Sequence, residues 1–451
     1  MKYEDKIKPL QKDMLESLRR LVRYNSVEGD PLPGKPFGEE PAACLAEALT
    51  IADEMGFRTE NLDNYCGWAE MGEGEDLIGI VAHLDIVPAG KGWDTDPFTL
   101  TEKDGRVYGR GVSDDKGAVI ASLYAMKMIK DSGIPLNKRI RLIMGCNEET
   151  GSRCMRYYME HEEPVTVGFT PDGNFPGIYG EKGMMSLTAF SKNTKILDIH
   201  GGFVSNAVCH KCTVVIPAGE TTVEKLEAAL GETPLTGFTV TEADGKITID
   251  AQGVAAHASM PYLGVNAANY TMQALEQAGF VDDFVQFYNE HIGTGCDGSG
   301  IGCKIADDYG DLTLNNGIVG MKDGVIFATI DCRTPVTYTP DQLRELVAPH
   351  LENEQGYLKL NFVGPSLFFP PDSDMVKKLV SAYREVTGDT EHEPEVIGGG
   401  TYAKSIPGII AFGCEFPGAD NHIHDANESL PVEELGLQAL IYKKAIENLL
   451  Q

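Results

Sequence analysis

The sequence predicts two folded regions of different class. One is an α/β domain on a mixed, largely parallel sheet flanked by helices; the other is an α+β domain inserted into it. Three observations predict this. Apolar strand-like runs alternate with helical patterns up to about residue 184, paired strands dominate from 185 to about 364, and the alternation returns from about 365. A length of 451 residues also suits two or three domains better than one.

Leu10, Met14, Leu18, Leu21 and Val22 recur at helical spacing, so an amphipathic helix over residues 5–22 opens the chain. "LIGIVAH" (77–83) is short and apolar throughout, as a strand buried on both faces must be. "KGAVIASLYAMKMIKDSG" (116–133) is apolar on one helical face and closes on Gly133, a C-cap signal. "IRLIMGC" (140–146) and "VTVGFTPD" (165–172) read as strands, with helix-compatible "GSRCMRYYMEHE" between them. These segments place residues 1–184 in the first domain.

In the insert, 185–364, "MMSLTAFS", "CTVVIPAG", "TVEKLEAALG" and "KITIDAQGV" lead to helical "GVNAANYTMQALEQAG". "DLTLNNGIVGMKD" and "GVIFATIDCR" follow as a strand pair joined by "KDG", then helix "TPDQLRELVAPHLE". The length fits two ferredoxin-like units rather than one. Residues 365–451 rejoin the first domain through helix "SDMVKKLVSAYREVTG", strand "GIIAFGCEF" and a final helix from about Val432. Two stretches of chain therefore join the insert to its host.

A net charge of −30 argues against nucleic acid or an anionic membrane surface as partner, and is compatible with small cationic or zwitterionic ligands and metal ions. No run reaches the 18 or more apolar residues of a membrane span, and the charged N-terminal segment lacks an apolar signal core. The expectation is a cytoplasmic protein. Ten scattered cysteines, mostly in apolar surroundings, agree with it. Cys209 and Cys212 in "CHKC" have no second pair at zinc-ribbon spacing and read as two small hydrophobes in a strand.

The acids and histidines follow the strands. His83 ends one strand and precedes Asp85; Glu148 and Glu149 end another, and Asp172 a third. Asp114 and Asp115 open a helix in "GRGVSDDKGA". Each alone has a plain reading: a turn residue, an N-cap, a solvated charge run. Together they bring acids to the strand-end edge where α/β sheets bind ligands, and adjacent carboxylates behind an apolar strand need compensating charge. Carboxylates and imidazoles without thiolates suit Zn²⁺ or Mn²⁺. Five such ligands can hold two ions about 3.5–4 Å apart. A glutamate left over beside a ligand can serve as general base.

The set "AHLDIVP", "GRGVSDDKG", "NEETGS", "TPDG", "GVAAHASMPYLGVNAA", "DCRTP" and "ADNHIHDANE" resembles the aminoacylase / carboxypeptidase G family of dinuclear zinc-type metallopeptidases. "GGGTYAK" and "FGCEFPG" narrow the likeness to its dipeptidase V branch. The resemblance implies a zinc-peptidase-like catalytic domain with a doubled lid, and two divalent ions, Zn²⁺ or Mn²⁺. It implies His83 and Asp172 on one ion, Glu149 and His424 on the other, and Asp114 bridging both. Glu148 would be the general base, and Asp85 would hydrogen-bond His83 and fix its tautomer. The Asp114–Asp115 peptide would be cis. His424 is preferred to His422 because it stands four residues before Glu428, as the family's ligand stands before its glutamate.

The same resemblance gives His257 a hydrogen bond to the developing oxyanion. Asn206, Arg333, Gly399 and Thr401 would contact substrate, with Arg333 suited to a bidentate grip on a carboxylate. Cys209 and Lys404 depart from the usual proline and arginine of the family and blur substrate preference. The implied activity is hydrolysis of unblocked dipeptides by a monomer whose doubled lid imitates a dimer partner. The alternatives are an N-acyl-amino-acid amidohydrolase of the same mechanism, or a peptide-binding protein without turnover.

Overall fold

A computed structural model describes residues 7–451. The opening helix runs Lys8–Val22, so residues 5 and 6 of the predicted helix lie outside the described residues. The chain forms two compact units. The first comprises Met1–Gly180, Phe369–Val396 and Gly400–Gln451; the second comprises Glu181–Phe368 and Ile397–Gly399.

The first unit is built on a mixed sheet whose strands run in the order Arg58–Leu62, Cys66–Met71, Arg139–Gly145, Leu77–His83, Val167–Thr170, Ile409–Ala411, Ile178–Glu181. The four strands from Arg139–Gly145 to Ile409–Ala411 are parallel to one another, and their outer neighbours pair antiparallel. All seven residues of Leu77–His83 are buried, which explains the absence of alternation in its sequence. Helix Lys116–Ser132 packs against Val432–Leu450 and Lys8–Val22. Its first turn lies so close to the preceding loop that a Cβ on Gly117 would sit 2.0 Å from the Val112 carbonyl oxygen. Only glycine permits that approach, and the approach presses the loop carrying Asp114 against the helix start.

The second unit is one continuous eight-stranded antiparallel sheet. Its order is Gly237–Ala243, Lys246–Gln252, Lys211–Pro217, Asp198–Gly201, Thr313–Lys322, Val325–Thr334, Gly183–Ser191, Gly356–Gly364. Eight strands are what two four-stranded units side by side supply. Met185, Leu187 and Ala189 alternate inward and meet Leu226, Met272, Leu275, Phe284, Phe287, Leu343 and Val347 from the helices in one core. Cys209 and Cys212 are buried there; Cys212 lies in its strand, while Cys209 precedes it.

Ile397–Gly399 differs from the sequence reading, which assigned all of 365–451 to the first domain. The Lys182 N–H donates to the Ile397 carbonyl at 2.9 Å, and Arg333 Nη1 donates to the Gly398 carbonyl at 2.8 Å. The chain consequently passes between units at 180/181, 368/369, 396/397 and 399/400, four times rather than twice.

Candidate metal centre

Three parallel strands deliver the acids to one edge of the first unit. His83 is the last residue of Leu77–His83 and pairs in register with Gly145, the last of Arg139–Gly145. Glu148 and Glu149 follow Gly145 by three and four residues, and Asp172 follows Thr170, the end of the third strand, by two. A parallel sheet points all these ends the same way. Asp114 comes from the turn before helix Lys116–Ser132, and its peptide bond to Asp115 is cis. His424 comes from the loop before strand Ser429–Pro431, which pairs with Arg106–Tyr108.

Asp114 stands in the middle. Its Oδ1 lies 2.9 Å from His83 Nε2, and its Oδ2 lies 2.9 Å from His424 Nε2. On the first side Asp172 Oδ2 is 3.9 Å from His83 Nε2; on the second Glu149 Oε1 is 3.2 Å from His424 Nε2. Ligand-type atoms of His83, Asp114 and Glu149 all lie within 4.8 Å of one another, as do those of His83, Glu148 and Asp172. Glu149 Oε1 is buried and lacks a well-aligned hydrogen bond despite the nearby imidazole. His422, by contrast, is exposed, with Nδ1 at 3.6 Å from Asp420.

The electrostatics follow from this crowding. Burial pushes the Glu148 carboxyl well above the usual carboxylate range, and the Asp172 charge pushes it further. Burial works to depress His83, but Asp114, Asp85 and Asp115 around its ring overcome it and raise the imidazole well above its ordinary value. The Asp114 and Glu149 carboxylates close to its ring raise His424 to about 10. Burial opposes the charge on Asp114, yet its two imidazole partners hold it below the ordinary range. Imidazole protons are the positive charge this cluster can offer its acids. A divalent cation supplies it more densely, and ligation replaces such protons. The donor set of imidazole and carboxylate, with an aspartate facing both ways and a buried Glu149 oxygen close by, fits two divalent ions.

The Asp85 expectation needs correcting. His83 Nδ1 donates to the Asp85 backbone carbonyl at 2.9 Å, while the carboxylate Oδ1 is 3.6 Å away. The Asp85 carboxylate instead accepts the backbone N–H groups of Glu148 and Glu149, each at 3.0 Å. The tautomer is still set by residue 85, through its main chain, leaving Nε2 as the nitrogen that could hold an ion. The side chain holds the turn that carries Glu148 and Glu149.

Sequence reasoning passed over two further groups. Glu428, used only as a spacing mark, is fully buried against Arg110 at 2.7 Å and accepts the N–H groups of Gly111, Ser113 and Asp114. It ties the Asp114 turn to the His424 loop. Asp115 accepts the His83 N–H at 3.1 Å, and burial raises its carboxyl well above the usual range. The only available signal was spacing: Glu428 to His424, and Asp115 to Asp114.

The other predicted residues stand apart from this cluster in sequence. Thr401 belongs to the first unit, where its Oγ1 accepts the Ala403 N–H at 3.1 Å. His257, Asn206, Arg333 and Gly399 belong to the second unit. The Asn206 carbonyl accepts the Ala258 N–H at 2.9 Å, and residues 207 and 257 form an isolated bridge, so the Asn206 and His257 loops are joined. Arg333 is buried and gives Nε and Nη2 to the two Asp331 oxygens at 2.7 and 3.1 Å. Residues 331 and 333 share one strand face, which makes the pairing local. One side of the guanidinium is therefore already committed.

Residues 79–448 match the model of peptidase family M20/M25/M40. The chain belongs to that family. "Putative dipeptidase YtjP" of Bacillus subtilis (strain 168) is 33% identical over 466 residues, covering all of both chains. "Putative dipeptidase SH1171" of Staphylococcus haemolyticus is 32% identical over 99% of each. Among solved structures, human carnosine dipeptidase 1 shares the fold with a TM-score of 0.57 and 17% identity, over 99% of this chain and 98% of that one. A tripeptidase from Staphylococcus aureus shares it with the same score and identity, over 97% and 98%. The likeness of fold to both solved structures extends over nearly the whole chain.

Proposed function

We propose that the chain is a metal-dependent dipeptidase acting on unblocked dipeptides. The observation that carries this reading is Asp114, with one oxygen toward His83 and the other toward His424, while Glu148 and Asp172 gather at the same His83. His83, Asp172 and Asp114 would hold one divalent ion, and Glu149, His424 and Asp114 the other. Bound there, two ions polarise a carbonyl and lower the pKa of water. Glu148 then takes a proton from the attacking water as its oxygen joins the scissile carbonyl carbon. When the C–N bond breaks, Glu148 hands that proton to the leaving amine.

From the second unit, His257 is assigned a hydrogen bond to the developing oxyanion. Arg333 is assigned the free carboxylate of the peptide, with Asn206, Gly399 and Thr401 as further substrate contacts. Three of Arg333's five N–H groups already donate, to Asp331 and Gly398, so the guanidinium is held in one orientation. We further propose a monomer in the cytoplasm; no helix among the described residues is long and apolar enough to cross a membrane.

The test is a panel of free dipeptides, tripeptides and N-acyl amino acids, assayed on metal-stripped protein after addition of Zn²⁺ or Mn²⁺. Selective cleavage of free dipeptides is expected. Faster cleavage of N-acyl amino acids would replace this reading with an amidohydrolase.

A further inference from the structure

His257 lies in a short loop that the fold holds on both sides. Its backbone bridges Ala207, the Ala258 N–H donates to the Asn206 carbonyl at 2.9 Å, and the Met260 N–H closes back on the His257 carbonyl at 3.0 Å. The ring is held as well. The backbone N–H of Ser259 donates to His257 Nδ1 at 3.2 Å, and Ser259 Oγ lies 2.8 Å from the same nitrogen.

A main-chain N–H has no choice of role: it donates. The nitrogen it meets must present a lone pair, so Nδ1 carries no proton and the neutral ring carries its proton on Nε2. The Ser259 hydroxyl can add a second donor to Nδ1. Ser259 is itself confined, because Gly398 approaches it so closely that a Cβ there would come within 2.4 Å of the serine Cβ. The same Gly398 accepts from Arg333.

We propose that Ser259 is a positioning residue that locks His257 in the Nε2–H tautomer and keeps it neutral, so that the ring offers a fixed donor. This rests on the reading that His257 donates to the oxyanion. A neutral donor aimed in advance stabilises developing negative charge without reorganising at the moment of reaction. The charged groups facing the ring are Arg333 and Asp331. Partial burial lowers the His257 pKa, Arg333 lowers it further, and Asp331 opposes them. Protonation would turn Nδ1 into a donor facing the Ser259 N–H, an arrangement both groups resist.

Two measurements test this. In protein with ¹⁵N-labelled histidine, metal-free and with Zn²⁺ added, two-bond ¹H–¹⁵N correlation should show His257 Nδ1 as the unprotonated nitrogen. His257→Gln identifies the resonance. In Ser259→Ala, loss of one donor to Nδ1 should raise the His257 pKa and move the acid limb of kcat/KM to higher pH. Its kcat below neutral pH should fall about tenfold, with KM little changed. An Nδ1–H tautomer in the unsubstituted protein would overturn the proposal. So would a Ser259→Ala protein whose pH profile matches the original; the main-chain N–H that fixes the tautomer remains in that variant. Turnover unchanged in His257→Ala would instead overturn the oxyanion assignment, while the resonance still reports the tautomer independently.

Discussion

The strand edge of the first unit and the Asp331–Arg333 face of the second both hold buried acid, but they neutralise it differently. Around Asp114 the groups able to carry positive charge are His83 and His424, which are charged only while protonated. On the second unit Asp331 is matched by a guanidinium that stays charged at any working pH. The contrast separates two tasks. A centre that must take up cations keeps its carboxylates compensated by groups that give way. Arg333, which we propose recognises an anion, keeps a permanent charge and has its orientation fixed by a neighbouring acid. Glu428 belongs to the second kind even within the first unit: it is paired with Arg110 and committed to holding backbone N–H groups.

Substitutions should expose this difference, beginning with the largest effect. Glu148→Gln should lower kcat by roughly 10²–10⁴-fold, with two equivalents of zinc retained by elemental analysis. Parallel loss of metal would move Glu148 from base to ligand. Glu428→Ala should come next, because it leaves Arg110 buried and unpaired. A loss of about 3–5 kcal/mol in chemical denaturation is expected, together with about 10–100-fold weaker zinc binding by equilibrium dialysis. Stability lost without any change in zinc affinity would show that the tie to the Asp114 turn is only architectural.

On the other side of the comparison, Arg333→Lys keeps the charge and removes the planar fork. KM for a free dipeptide should rise about tenfold or more, with kcat changed less. A blocked C-terminal amide should be nearly indifferent to the substitution. Equal losses for both would remove the carboxylate assignment.

The smallest effect concerns an ordinary surface pair of the second unit, Asp297 with Lys304 at 2.9 Å. The Lys304 hydrogen bond lowers Asp297 to about 2. Because this folded-state value lies below the unfolded one of about 3.9, its stabilisation is present above pH 4 and fades as pH falls through 2. Both groups are well exposed, so the effect is about 0.5 kcal/mol or less. Melting of Lys304→Met against the parent should show a small gap at pH 6 that closes at low pH.

Much of this arrangement can be read from local pattern. A fully buried parallel strand must be apolar from end to end, so "LIGIVAH" announces both itself and the polar residue that ends it. The helix Lys116–Ser132 and its Gly133 cap are legible for the same reason: periodicity and capping act within a few residues. Arg58–Leu62 was passed over because "RTENL" is an exposed, polar edge strand with no apolar face to display. Gly237–Ala243 is likewise mostly exposed. What pairs a buried charge is harder still. Arg110 and Glu428 are 318 residues apart, and nothing near either announces the other. The Asp85 role depended on which of its oxygens turns toward His83, a matter of backbone path that residue type does not encode.

The three residues Ile397–Gly399 also bear on how the molecule can be taken apart. A fragment cut at 181 and 368 would look like a whole inserted domain by length, yet it would lack the acceptors used by Lys182 and Arg333. The second unit is thus not a cassette that can be excised or exchanged as a single segment. Any graft of it onto a relative must also carry a matching glycine at position 398, from a stretch of chain otherwise owned by the host.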